Sequence, residues 1–321
     1  MIKFILKRLL HAIPLLIGIT LVSFFIIQLA PGDYFTQMEL NPEISRETLE
    51  KMRADFGYDK PIWIQYLRWL KNICQCDFGV SISYHIPVAT LIKQRILATL
   101  YLSLVVILFL WLISIPCGLF CATHQNSFLD RVIMVIGYIG MSLPSFFFAF
   151  LLIFFSAKTG LLPIGGIVSI NFDDLSFFFK ARDLILHIAI PASVLIFGGF
   201  GYLTRIMKGY LLDVLSSPYI IAARARGLSE LRVIGKHGLA NALNPMITIF
   251  GFQLSGILSG AALIEIITRW PGMGRLMLDA VLSQDLYVVM AGLVISSLML
   301  IGGNLIADIL LALSDPRIRY E

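Results

Sequence analysis

The sequence predicts an all-α membrane protein with six transmembrane helices, and two observations lead to that prediction. Of its 321 residues, 58% are hydrophobic and only 14% are charged, whereas a soluble domain carries about 25% charged residues. In addition, six stretches contain no Asp, Glu, Lys or Arg, and each is long enough for a helix to cross the hydrocarbon layer of a membrane. These stretches are 9–30, 97–122, 132–157, 184–204, 238–264 and 286–307.

The composition also excludes several classes of protein. A chain this apolar cannot hide its surface from water in one or two ordinary cores, which rules out a soluble globular enzyme and a disordered protein. The formal net charge is +5. Its basic residues are scattered between the apolar stretches and form no cluster with aromatic side chains, so they indicate membrane topology rather than nucleic-acid binding.

The first apolar stretch, 9–30, follows three basic residues, Lys3, Lys7 and Arg8. This order resembles a signal peptide, but the apolar core of a cleaved signal peptide has only about 7–15 residues. We therefore expect an uncleaved first transmembrane helix.

The segment that follows, 31–96, is predicted to lie outside the membrane and to contain two short helices, over 44–56 and 61–73. The second has one apolar face, flanked by Trp63 and Trp69. It could lie flat at the outer interface or pack against the helical bundle. The segment is too small to form a substrate-binding domain, so capture of a dilute solute needs another protein.

The distribution of Lys and Arg predicts the orientation. With both termini in the cytoplasm, the inner segments 1–8, 123–131, 205–243 and 308–321 hold 12 basic residues, and the two short outer segments hold 5. The long outer segment holds more, but segments of that length cross the membrane largely regardless of charge. Both termini are therefore expected in the cytoplasm.

Five of the six stretches contain a proline, and the last contains two adjacent glycines. Proline removes a backbone donor and kinks a helix, and neighbouring helices compensate for this within a membrane. Two interpretations stay open: ordinary tolerance of proline, or bent helices around a path that opens and closes. These residues are Pro14, Pro116, Pro144, Pro191, Pro245, Gly302 and Gly303.

The motifs of common enzymes are missing from the sequence. It contains no Gly-x-x-x-x-Gly-Lys-Ser/Thr, no His-Glu-x-x-His and no nucleophile elbow. Cys74 and Cys76 lie in the outer segment, where a disulfide is permitted, and whether they form one stays open. Their Cys-x-Cys spacing alone is a weak indication of a metal or redox function. Glu265 and Asp308 stand near predicted helix ends, where a solvated or helix-paired role is favoured over a functional one. We expect no catalysis by this chain alone and no cofactor.

The inner segment 205–243 carries the most informative local pattern. Ser217 suits a helix N-cap, Pro218 the first helical turn and Gly227 a left-handed stop. The pattern predicts a helix of about ten residues that ends sharply, followed by a second helix capped by Ser229 that runs through Lys236.

A patch of small residues lies on this short helix, at Ala222, Ala223 and Ala225, with Arg224 and Arg226 beside it. Alanine keeps helix propensity while letting a partner surface approach. The alternative is a simple connector whose positive charges fix the topology. The spacing alone does not decide between the two.

This segment resembles the cytoplasmic loop of bacterial ABC-importer permeases, whose pattern is Glu-Ala-Ala-x-x-x-Gly. Ala222, Ala223 and Gly227 match, whereas Ile221 stands where the glutamate would be. The runs Ala223–Leu228 and His237–Pro245 match the peptide-importer branch more closely.

Further motifs extend the resemblance over nearly the whole chain, to the first permease subunit of dipeptide, oligopeptide and nickel importers. They are Pro31-Gly32-Asp33, Tyr66–Trp69, Asp77-Phe78-Gly79, Trp270–Arg275 and Asp315–Tyr320. Cys76 stands where glycine is common in that branch, so a local turn may differ there.

The resemblance implies the fold of type I ABC-importer permeases, with a first helix and periplasmic segment over 1–96 and a five-helix core over 97–321. It implies four kinds of partner: a second permease subunit, two cytoplasmic ATPase subunits, a substrate-binding protein outside and membrane lipid. By the same resemblance, the residues that couple this chain to an ATPase subunit are Ala222, Ala223, Arg224, Arg226 and Gly227. Peptides are the leading substrate, with nickel chelates and haem still open, and a self-sufficient carrier or channel is the alternative function.

Overall fold

The computed structural model describes residues 2–29, 32, 34–39, 45–260 and 262–314. This part is helical, contains no strand, and has one isolated β-bridge between Val80 and Pro87. Its helices are α1 (Ile2–Leu29), α2 (Tyr34–Met38), α3 (Arg46–Asp55), α4 (Ile62–Cys74), α5 (Val88–Thr123), α6 (Phe128–Ser142), α7 (Ser145–Thr159), α8 (Phe177–Leu215), α9 (Pro218–Ala225), α10 (Glu230–Arg232), α11 (Ala240–Gly260), α12 (Ala262–Ile267), α13 (Met273–Leu282) and α14 (Leu286–Ser314). A 3-10 turn (Phe172–Asp174) precedes α8, and a π-helical stretch (Val233–Leu239) joins α10 to α11.

Four of the described helices, α1, α5, α8 and α14, are long and apolar enough to cross a membrane, and α6 with α7 makes a bent fifth candidate. The all-α membrane fold is therefore confirmed, while the count of six spans stays a prediction. The apolar stretch 238–264 corresponds to α11 and α12, on either side of residue 261, which lies outside the described residues.

The third apolar stretch, 132–157, is not one helix. It breaks at Leu143–Pro144, where α6 and α7 meet at a bend of 101°. Leu143 has extended backbone angles, and Pro144 becomes the N-cap residue of α7. The physical reason is steric, because a proline ring disfavours the helical conformation of the preceding residue.

The described chain divides into two compact units. One unit comprises Met1–Leu97 with Gly272–Ile301, and within it α4 packs on the bundle rather than standing apart from it. Tyr66 and Trp69 of α4 are buried against Phe24 and Met290, and the Tyr66 hydroxyl lies 3.2 Å from the Thr20 hydroxyl. The opposite face of α4 exposes Trp63.

Helices α3 and α4 confirm the two helices predicted for the outer segment, to within one or two residues. Beyond α4, the loop that leads to α5 is held by Asp285, the fully buried residue just before α14. Its carboxylate accepts a 2.5 Å hydrogen bond from the Ser81 hydroxyl and a 3.1 Å bond from the Ser83 amide. Cys74 and Cys76 are free and exposed, and Cys76 has φ +59°, the conformation that the glycine common at this position would adopt without strain.

The other unit comprises Ala98–Pro271 with Gly302–Glu321, and its tightest seam joins α6 to α8. Gly137 and Gly201 face each other, so that a Cβ at Gly137 would lie 2.8 Å from the Gly201 Cα. One turn along α6, a Cβ at Gly140 would overlap the Phe197 carbonyl oxygen. Small residues allow helix backbones to approach this closely within a membrane.

A buried ion pair closes one end of the same seam. Lys208 Nζ lies 2.7 Å from Asp130 Oδ1 and 2.9 Å from Oδ2, and the Asp130 side chain is almost fully buried. The Asn126 amide donates a further 2.9 Å hydrogen bond to this carboxylate. Removing one partner of such a buried pair costs about 3–5 kcal/mol.

Glu265 is fully buried in this unit, which supports the helix-paired role expected for it rather than the solvated one. Its carboxylate accepts a 2.7 Å hydrogen bond from the Thr99 hydroxyl. Nearby, Trp270 donates its indole N–H to the Ala98 carbonyl at 3.1 Å and stacks on Tyr101. Asp308, the other charge singled out, is half-buried in α14.

Candidate functional site

The inner segment begins as a continuation of α8. The charge-free stretch ends at residue 204, whereas α8 runs on to Leu215. At 1.5 Å per residue this extension is about 16 Å long. Met207 and Leu211 are fully buried in a cluster with Ala242 and Met246 of α11. The extension is therefore a packed part of its unit rather than a free arm.

The chain turns from α8 into α9 at two serines. Ser217 occupies the N-cap position of α9 in extended conformation, and Pro218 takes the first turn, as the sequence predicts. The predicted capping bond is wrong, however. The Ser217 hydroxyl donates a 2.5 Å hydrogen bond back to the Val214 carbonyl, so it satisfies an acceptor at the end of α8 instead.

Helix α9 ends in a Schellman motif, which confirms the predicted left-handed stop. Gly227 has φ +79°. Its amide donates to the Arg224 carbonyl at 2.9 Å, and the Leu228 amide donates to the Ala223 carbonyl at 3.4 Å. These are the two bonds of the motif, and Leu228 supplies the apolar contact that accompanies it.

One face of α9 is packed against the protein. Ile220 and Ala223 are buried in a small cluster with Val233, and Val214 and Leu228 pack against it. Ala223 was expected in an accessible patch with Ala222, but the structure turns it inward. It therefore fixes the seating of α9 on its own chain.

The other face of α9 is open. Ala222, Arg224, Ala225, Arg226 and Gly227 are all exposed. Large apolar side chains that the motif did not single out accompany them: Ile221 is 57% exposed, Tyr219 46%, and Leu231 of α10 89%. The signal was present in the sequence, because these are bulky apolar residues in a segment predicted to face water. An exposed apolar patch bordered by charges is typical of a protein-binding surface.

Arg224 and Arg226 differ in their surroundings. Arg224 forms a two-pronged ion pair with Glu230, at 2.7 Å from Nε to Oε1 and 3.3 Å from the terminal nitrogen to Oε2. Both side chains are exposed, so the pair contributes at most about 1 kcal/mol, yet it joins α9 to α10. Arg226 forms no ion pair within the described residues and leaves an uncompensated positive charge at the end of α9.

Only the start of the second helix predicted for this segment is α-helical. Helix α10 has three residues, after which the chain is π-helical over Val233–Leu239. Ser229 stands at the N-cap position, but its side chain makes no capping bond. Gly238 lies close to Leu211 and Leu215, and the Asn241 side chain donates to the His237 carbonyl at 2.7 Å.

The structure thus brings all five predicted coupling residues onto one short helix and its stop. Four of them are exposed, and Ala223 supports them from within. The described residues contain no group of three or more His, Cys, Asp or Glu that could hold a metal ion. The arrangement offers a surface that a partner can bind.

Comparison with protein families gives two matches that together span nearly the whole sequence. Residues 114–320 match the family described as binding-protein-dependent transport system inner membrane component. Residues 1–103 match the N-terminal region of the same kind of transport membrane component.

Individual relatives match over the full length of both chains. The oligopeptide transport system permease protein of Bacillus subtilis (strain 168) is 42% identical over 322 residues. The dipeptide transport system permease protein of Escherichia coli (strain K12) is 35% identical over 338 residues. The glutathione transport system permease protein of the same strain is 33% identical over 322 residues.

Proposed function

Because this chain belongs to the family of binding-protein-dependent transport system inner membrane components, we propose that it forms half of an import path for dipeptides and oligopeptides. It is a multi-pass inner-membrane protein and a permease subunit of an ATP-dependent importer. A full-length relative at 42% identity is named for oligopeptide transport, which is the observation that supports the peptide substrate.

In this proposal the other half of the path is a second, homologous permease subunit. Two separate cytoplasmic ATPase subunits hydrolyse ATP, and a substrate-binding protein delivers the peptide from outside. Both termini face the cytoplasm. Residues 1–96 supply the first helix and the periplasmic segment, and residues 97–321 supply the permease core.

Helix α9 is the proposed docking site for an ATPase subunit. Ala222 and Arg226 contact the partner directly, because both are exposed. Arg224 joins α9 to α10 through Glu230, and Ala223 seats α9 against Ile220 and Val233. Gly227 sets the direction in which the chain leaves. Since α9 is packed on the extension of α8, a displacement of α9 is transmitted to α8.

The experiment is uptake by proteoliposomes that contain this chain, the second permease subunit, both ATPases and the binding protein. We expect ATP-dependent accumulation of a radiolabelled tripeptide, with no accumulation when this chain is omitted. Nickel chelate and haem, supplied with the same components, should not accumulate. Uptake of either one in place of the peptide would overturn the peptide assignment while leaving the importer function standing.

A further inference from the structure

Arg95 occupies an unusual place on α5. Buried residues recur along one side of this helix at helical spacing, at Val88, Leu91 and Ile92, and again at Ala98 and Thr99. Arg95 lies in the middle of this stripe, three and four residues from its neighbours on each side. It is half-buried, whereas its neighbours Lys93 and Gln94 are exposed. A cation therefore interrupts a helix face that is otherwise core.

The guanidinium of Arg95 has no counterpart in the part of the chain that the structure describes. Its Nε is buried without a hydrogen-bond partner, and no ion pair includes it. By contrast, the inward-facing Lys208 of α8 is paired with Asp130. An N–H group that is buried without an acceptor destabilises a protein, so the unpaired Nε of this half-buried side chain requires an explanation.

The location of Arg95 favours a ligand over a lipid headgroup as its partner. It lies two residues before the charge-free stretch 97–122, at the very end of the segment 31–96 that is predicted to lie outside the membrane. A cation that contacts lipid headgroups would be expected on the exposed side of the helix, where Lys93 lies. Charges that face inward in a membrane protein are typical of ligand or substrate pathways.

The chemistry of the guanidinium indicates which ligand fits. Its planar fork of donors binds a carboxylate through two parallel hydrogen bonds. Peptides of different sequence share few groups, but an unmodified peptide always ends in a carboxylate. Resting on the proposed peptide import, we propose that Arg95 binds the C-terminal carboxylate of the peptide at the outer entrance of the path. The site thereby recognises a feature that is independent of the side chains.

The test compares two peptides of the same sequence, one with a free C-terminal carboxylate and one with a C-terminal amide. Each peptide is preloaded on the binding protein, and import by the full reconstituted complex is counted per loaded binding protein. A preference of the binding protein for one peptide therefore does not affect the comparison. The original complex should import the carboxylate peptide about tenfold faster, as expected for one charge-assisted interaction. Arg95→Gln should abolish this preference by slowing only the carboxylate peptide.

Lys93→Gln is the matched control, because it removes the same charge from the exposed side of the same helix. It should keep the preference. The inference is wrong if the original complex shows no preference, if Arg95→Gln keeps it, or if Arg95→Gln slows both peptides equally, which would indicate a role in assembly. If the original complex imports neither peptide, the proposed peptide import itself fails.

Discussion

Gly227 shows at the residue scale how a single backbone conformation shapes the docking surface. Its left-handed φ allows α9 to end after Ala225 and lets its own amide and that of Leu228 close the Schellman motif. A Cβ at this position would meet no atom within 4 Å. The requirement for glycine is therefore conformational and does not come from crowding.

Gly227→Val should uncouple ATP hydrolysis from import. A β-branched residue in the left-handed region costs about 1–3 kcal/mol, enough to reduce import about tenfold if the strained stop opens. Gly227→Asn is the control, since asparagine tolerates this conformation, and it should import at close to the original rate. Equal import by the valine and asparagine variants would remove Gly227 from the coupling assignment.

At the same scale, the sequence predicts the backbone conformation of a residue more reliably than the contacts of its side chain. Ser217, Pro218 and Gly227 fall where their conformational preferences place them, because these are local properties. The Ser217 hydroxyl bonds backwards to Val214, and Ala223 turns inward. Both outcomes depend on how α9 packs against α8 and the π-helical stretch, and no single short motif encodes that packing.

At the scale of the element, the seam between α6 and α8 depends on glycines. The sequence offers Gly137, Gly140 and Gly201 without indicating which of them face another helix. The structure shows that each lies against backbone atoms, whereas Gly198, on the same helix as Gly201, has open space around it.

Gly140→Ala should therefore destabilise the protein, because the new methyl group would meet the Phe197 carbonyl and force α6 away from α8. Overpacking of this kind costs about 1–3 kcal/mol, which we expect as a lower melting temperature of the purified protein in detergent. Gly198→Ala is the matched control and should be neutral or slightly stabilising, since alanine favours a helix over glycine. Identical melting temperatures for the two variants would contradict the close packing of α6 against α8 at Gly140.

Other elements differ from the sequence prediction for identifiable reasons. The stretch 132–157 is apolar enough to be one span, and only the steric effect of Pro144 on Leu143 divides it into two helices. No sequence pattern predicts that the stretch Val233–Leu239 is π-helical rather than α-helical. Hydrophobic periodicity indicates that a helix is present, whereas its bends and its hydrogen-bond register depend on contacts with other helices.

For the whole molecule, the sequence predicts the class and family well, because lipid as solvent imposes a composition that soluble proteins lack and the family motifs extend along the chain. The count of six spans stays a prediction, since residue 261, between α11 and α12, lies outside the described residues. The central claim is that this subunit contributes a path and that separate ATPases act on it through α9.

Photo-crosslinking in the reconstituted importer tests that claim most directly. A benzoylphenylalanine in place of Tyr219, an aromatic residue on the open face of α9, should form an adduct with an ATPase subunit. The same substitution at Trp63, exposed on α4, should form none. The account is contradicted if the ATPase is captured from position 63 and not from position 219, or if position 219 yields no ATPase adduct in a complex that imports peptide.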